Sequence, residues 1–155
     1  MSDKRTELKV SAIRRGTVID HIRSESTFRV FQILNLEDVK DQVYLGTNLE
    51  SKKLGKKGII KISGKSFVSS EINKIALVAP EATLIEIEEY EIVKKEKIVP
   101  PDTITKIVKC VNPKCVTNNQ NVETKFNIVT DYHGQMKLVC HYCEKSMTQK
   151  DIFFI

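Results

Sequence analysis

Cys110, Cys115, Cys140 and Cys143 are the four cysteines of the chain. They fall in two close pairs, C-x4-C and C-x2-C, with 24 residues between the pairs. Thiolates in short paired spacings suit a tetrahedral metal site, each pair on a tight loop and two sulfurs per loop facing one ion. Asn112-Pro113 fits a turn in the first loop. Lys109, Lys114 and Lys145 flank the pairs and would offset the excess negative charge of four thiolates around one Zn²⁺. Two disulfides are the alternative, but nothing else in the chain suggests secretion. Four sulfurs close the coordination sphere, so the expectation is one structural zinc ion per chain, not a catalytic one. His133 and His141 are alternative ligands that a complete four-cysteine set leaves on the surface.

The elements that must position these loops are short. Ile104 to Val108, Phe126 to Thr130, Met136 to Val139 and Ile152 to Phe154 read as strands, with a turn at Tyr132-His-Gly134. Together they predict a small antiparallel-β, rubredoxin-like zinc domain over residues 100–155. Its apolar core is too small to suffice alone, and metal binding would supply folding free energy.

Ahead of it, residues 1–99 predict a separate domain. Leu8, Val10 and Ala12 alternate with polar residues as a strand does. Gly16 breaks that pattern and leaves Asp20-His21 in a loop. A helix follows, capped by Ser24 or Ser26, with Phe28, Phe31, Ile33 and Leu34 at helical spacing. Val43 to Thr47 and Ile59 to Ile62 read as strands joined by the basic stretch Ser51 to Gly58. A second helix starts near Ser69 or Ser70 and stops at Pro80. Thr83, Ile85 and Ile87 form a fourth strand, and Lys94 to Asp102 reads as a linker. The order β-α-β-β-α-β is the ferredoxin-like split pattern, within an α+β chain. Right-handed crossovers would put both helices on one sheet face and leave the other open for a ligand or a second subunit.

The 155 residues carry a net charge of +5, made of 18 basic and 15 acidic residues up to Val99 and 7 basic and 5 acidic after it. This mild, even excess suits an anionic small ligand or an acidic protein surface and argues against nucleic acid. No apolar run is long enough for a membrane, and the charged start Met1 to Glu7 is no signal peptide, which points to the cytoplasm. Catalytic signatures of the G-x-S-x-G, phosphate-loop and H-E-x-x-H kinds are absent. Asp20-His21 has no nucleophile beside it. Lys61 and Lys95 could converge on a polyphosphate if the third and fourth strands are close.

The chain resembles the regulatory chains of aspartate carbamoyltransferase. The resemblance is carried by Ala12-Ile-Arg-Arg-Gly-Thr-Val-Ile-Asp-His-Ile22, Gly46-Thr-Asn-Leu49, Gly55-Lys-Lys-Gly-Ile-Ile-Lys-Ile62, Leu77-Val-Ala-Pro-Glu-Ala-Thr83 and Cys140-His-Tyr-Cys-Glu-Lys145, in family order. It implies a chain without catalytic activity. The front domain would bind the nucleotide effectors CTP, UTP and ATP and pair with a second regulatory chain. The zinc domain would dock on the catalytic chains of pyrimidine biosynthesis. By position, Val10, Ser11, Ala12 and Ile13 would line the effector pocket along the first strand. Asp20 and His21 would meet ribose or phosphate, and Lys61 and Lys95 ribose and phosphates. Ile85, Ile87, Tyr90 and Ile92 would frame base and sugar. Two positions depart from the family pattern. Ser11 stands where an acidic residue is usual, which changes local charge, and Ile85 stands in place of an amide, which removes a polar contact.

Overall fold

The computed structural model describes residues 12–155, which divide after Val99 into two compact units. In the front unit the strands are β1 (Gly16–Arg23), β2 (Val43–Ser51), β3 (Gly55–Ser63), β4 (Thr83–Glu88) and β5 (Glu91–Lys97). The helices are α1 (Thr27–Ile33) between β1 and β2 and α2 (Ser69–Val78) between β3 and β4. The sheet order is β2-β3-β1-β4-β5, with every neighbouring pair antiparallel. Four strands and two helices make the expected split arrangement. The fifth strand is an addition to it.

One sheet face carries Ile19, Ile60 and Ile62, all fully buried, with Leu84 beside them. Gly58 shares that face. A Cβ there would collide with the side chain of Thr27, so α1 lies directly on β3 where only glycine leaves room. Helix α1 buries Thr27 and Val30, and Leu34 follows at its end. The expected apolar stripe is thus rotated, and Phe28 stays exposed. Helix α2 buries Ile75, Ala76, Leu77 and Val78. The Glu71 carboxylate accepts the Val68 N–H at 3.2 Å and caps its start.

Two further sequence expectations are corrected. Gly16 to Arg23 is a strand, not a breaker followed by a loop, and Asp20-His21 lies within it at a β-bulge. His21 takes a left-handed φ of 56°, and the extra residue lets Ile19 and Ile22 both bury. Lys94 to Lys97 belongs to β5, paired with β4, not to a linker. The hairpin between them turns through Glu89 and Tyr90, both at positive φ. The strand expected at Leu8 to Ala12 lies outside the described residues except for Ala12, which is in no strand.

The back unit is a four-stranded antiparallel sheet of β6 (Thr103–Thr105), β7 (Lys125–Thr130), β8 (Met136–Cys140) and β9 (Ser146–Thr148), in that order. The C-terminal residues run beside Ile107 to Lys109, with a bridge from Val108 to Phe154. Phe126, Leu138, Met147 and Val108 are its buried centre. A one-turn helix, α3 (Val116–Asn119), follows the first cysteine pair and was not expected, nor was β9.

Candidate functional site

The back unit brings its cysteine pairs together from two loops. In the first, the Asn112 side chain accepts the Lys114 N–H at 3.0 Å and the Asn112 carbonyl accepts the Cys115 N–H at 3.0 Å. Helix α3 then fixes the loop. The Asn118 amide donates to the carbonyls of Cys110 and Asn112, and the Asn119 amide to those of Pro113 and Cys115. In the second loop, the N–H of Glu144 bonds the Cys140 carbonyl at 3.0 Å, with Glu144 at a left-handed φ of 62°.

The four Sγ atoms lie within 4.8 Å of one another. Cys110 and Cys143 are 3.6 Å apart, and Cys115 and Cys140 are 3.7 Å apart. A disulfide needs about 2.05 Å, so these are not bonded pairs. Four sulfurs at about 2.3 Å from one tetrahedral ion sit about 3.8 Å from each other. The donor set and its spacing therefore fit a metal ion. Burial pushes the Cys110 thiol up to about 12 and raises Cys140 as well. Burial works the same way on Cys143, but the Lys145 N–H and the Asn112 amide overcome it and bring that thiol down to about 7. A metal ion among the sulfurs would favour the thiolate form that burial disfavours at Cys110 and Cys140. The Thr117 hydroxyl donates to Cys115 Sγ at 3.2 Å, a second layer around the ligand.

His133 and His141 are both exposed, at the β7–β8 turn and in the second cysteine loop, and neither belongs to the four-cysteine cluster. Beside the centre, Lys109, Val111, Pro113, Asn118 and Phe153 line a surface depression.

The front unit offers a different kind of site, on the sheet face that α1 and α2 do not cover. Cross-strand pairing sets one row across all five strands: Tyr44, Lys61, Val18, Ile85, Lys95. Ile13, Val18 and Ile85 are buried together on this face, and Tyr44, Ile59 and Ile87 pack against them. Ile92 is cross-strand partner to Ile87 and remains exposed. Asp20, two residues after Val18, bonds the Lys57 ammonium at 2.8 Å and its neighbour His21's N–H at 2.6 Å. The His21 ring meets the Thr83 hydroxyl at 3.1 Å through Nδ1. Burial lowers the Lys61 pKa, against the pull of the Asp20 carboxylate. An anionic ligand would restore what that ammonium loses in hydration.

Lys61, Ile85, Lys95 and Asp20 thus share one face, with Ile13 over it. Tyr90 sits in the β4–β5 turn, 66% exposed, its N–H bonded to the Arg14 carbonyl. Ala12 is exposed, while Val10 and Ser11 lie outside the described residues. Sequence reasoning passed over Val18, Ile59 and Tyr44 as site residues, and named Lys57 only among the lysines near strand ends or loops. The bulge at Asp20-His21 hid the register that places Val18 and Lys57. Tyr44 would have shown only once β2 and β3 were paired.

Among the described residues no helix is long and apolar enough to cross a membrane. Two family models match: aspartate carbamoyltransferase regulatory chain, allosteric domain, over residues 8–99, and aspartate carbamoyltransferase regulatory chain, metal binding domain, over residues 102–153. An aspartate carbamoyltransferase regulatory chain of Bacteroides fragilis is 48% identical over 155 residues, covering the whole of both chains. One from Pyrococcus furiosus is 48% identical over 148 residues, 94% of this chain and 96% of its own. One from Phocaeicola vulgatus is 45% identical over 152 residues, 98% of this chain and 97% of its own. The matching models are those of an allosteric and a metal-binding domain, not of a catalytic one. The chain belongs to the family of aspartate carbamoyltransferase regulatory chains, and is a non-catalytic, regulatory member with an allosteric domain and a four-cysteine metal-binding domain.

Proposed function

We propose that this chain binds nucleoside triphosphate effectors on the open sheet face of its front unit and passes their effect to catalytic chains through its back unit, in cytoplasmic pyrimidine biosynthesis. The observation that carries the reading is the row across the sheet, with Lys61 and Lys95 on either side of the buried Val18 and Ile85. Apolar floor, two cations and a carboxylate match base, phosphates and ribose in chemical kind. Neighbouring strands lie about 4.8 Å apart, so three spacings separate the Lys61 and Lys95 backbones by about 14 Å. The ligand lies along that row, its triphosphate toward Lys95 and its ribose toward Asp20 and Lys61. Ile13 and Ala12 offer backbone groups to the base, with Val10 and Ser11 before them. His21 stands by for ribose or phosphate. Ile87, Tyr90 and Ile92 complete the wall.

The metal is zinc, one ion per chain in a structural role. Cys110, Cys115, Cys140 and Cys143 hold it, and its chemistry there is to neutralise and tie together four thiolates. The exposed Val111, Tyr142, Phe153 and Ile155 around those loops suit a protein surface, which we assign to a catalytic chain. A second copy of the chain pairs with the front unit. An effector acts by binding two quaternary states unequally, since equal affinity would shift nothing.

Calorimetry of CTP, UTP and ATP with the metal-loaded chain tests the effector face. A charge-assisted bond to phosphate contributes about 1.5–3 kcal/mol, so Lys95→Ala should weaken binding about 10- to 150-fold. No binding by any of the three, or binding indifferent to both Lys61→Ala and Lys95→Ala, defeats the effector reading. Chelation of the assembled enzyme tests the docking reading. It should release catalytic subunits, and an intact complex with the metal gone would overturn it.

A further inference from the structure

The row across the front sheet does not end at Lys61. Its next member is Tyr44, on edge strand β2, directly opposite Lys61 in the register. The side chain is half-buried and packs against the buried cluster of Ile13, Val18 and Ile85, the apolar floor of the face. Its hydroxyl meets Gln42 Oε1 at 3.4 Å, a long contact between exposed atoms. The helix-facing side of the sheet holds Ile19, Ile60 and Ile62. The Tyr44 side holds the ion pair of Asp20 with Lys57, the Thr83–His21 contact and a lysine whose charge is disfavoured by burial. Groups of this kind gather where a polar ligand sits over an apolar floor.

We infer that Tyr44 is a ligand-contacting residue of this face, its ring walling the nucleobase on the β2 side while Asp20 and Lys61 hold the ribose and Lys95 the phosphates. This deepens the effector reading and rests on it. The ring adds a flat, polarisable surface beside the Ile13 backbone. Such a surface accepts either a purine or a pyrimidine, because every base presents a π-face. Lys61, next to the ring, restricts where the ribose can lie and so holds the base toward Tyr44. Tyr90 stands at the β4–β5 turn, on the other flank of the row.

Binding of ATP, CTP and inorganic triphosphate to the metal-loaded full chain, measured by calorimetry, tests the assignment with Tyr44→Ala, Tyr44→Leu and Tyr44→Phe. Loss of base–aromatic stacking should weaken both nucleotides about 10-fold in the alanine and leucine variants, with the phenylalanine variant within about two-fold of the parent. Inorganic triphosphate has no base, so its affinity should be the same in all four proteins. That equality also reports that the face has kept its shape. If the parent chain binds neither nucleotide, the effector reading falls and this one with it. Should nucleotides bind and weaken on Lys95→Ala but not on Tyr44→Leu, the Tyr44 assignment alone is overturned. Equal weakening of nucleotide and triphosphate by Tyr44→Leu overturns it too, because the ring would then be supporting the sheet and not touching the base.

Discussion

The two units place their candidate sites differently with respect to their cores. In the front unit, fully buried Ile19, Ile22, Ile60, Ile62, Ile75 and Leu77 lie between sheet and helices, and the candidate effector face is on the other side. In the back unit, three of the four metal-facing cysteines are themselves among the most buried residues. There the ligand is part of the core. A unit of this size buries only a marginal apolar surface, whereas the larger front unit buries proportionally more. On the proposed reading, a ligand of the front face can come and go and act as a signal, while a metal held by the back-unit cysteines must stay.

Removing the metal should break that comparison open with the largest effect. Structural zinc contributes on the order of 10–16 kcal/mol in small zinc domains, more than the net stability of most domains. With a strong chelator, or in Cys115→Ser, amides of Phe126 and Leu138 should lose their hydrogen-exchange protection. Those of Ile60 and Ile62 should keep theirs. Loss of protection in both units together would show that they fold as one, and retained protection at Phe126 would show a self-sufficient back core.

The converse experiment acts on the front core. Ile60→Ala removes a fully buried side chain and should cost about 2–5 kcal/mol of front-unit stability. Urea unfolding followed separately by front-unit and back-unit NMR signals should show only the first transition move. A smaller cost follows from Gly58→Ala, where the added methyl must push against Thr27 and α1 must lift from β3. Overpacking of this kind costs about 1–3 kcal/mol. No loss on Gly58→Ala would mean that α1 has freedom to move on the sheet.

The same contrast decides what could be read in the sequence. Cysteine spacing announces itself because ligand chemistry needs those residues whatever surrounds them. The alternation in Thr83, Ile85 and Ile87 was legible because β4 is an interior strand. Strand β1 was not, since Gly16 looks like a breaker and the bulge at His21 destroys the period of two. Ile19 and Ile22 both bury, at a spacing of three that suits one face of a helix and not a strand. Strand β5 was misread because all seven of its residues are exposed. An edge strand shows no burial pattern, and lysines along it are what keep such edges from pairing further. The short β9 and α3 have too few residues to carry any period. The row from Tyr44 to Lys95 is a property of strand register, which residues on five separate segments do not reveal until the strands are paired.

The two hairpin tips give the smallest and most direct contrast. In the front unit, Arg14 and Glu89 form a 3.1 Å ion pair with both side chains mostly in solvent. Such pairs are worth about 0–1 kcal/mol, so Glu89→Gln should leave front-unit stability nearly unchanged. In the back unit, Asp131 closes the β7–β8 turn. Its carboxylate accepts the N–H groups of His133 and Gln135, both at 2.9 Å. Those two backbone bonds, Gln135 first, hold its pKa below the ordinary carboxylate value, with Lys137 adding to them. A lowered folded value means that this contribution is complete above the ordinary carboxylate pKa and is lost as pH falls through the lowered one. At pH 7 it is fully present. Asp131→Ala should therefore speed amide exchange at Gln135, while Asp131→Asn, which keeps one acceptor oxygen, should do so less. Equal exchange in the two variants would mean that charge, not the pair of backbone bonds, holds the turn. Backbone bonds to a fixed carboxylate need no second long side chain to be ordered, as the Arg14–Glu89 pair does. That entropy difference is why the back tip should respond and the front tip should not.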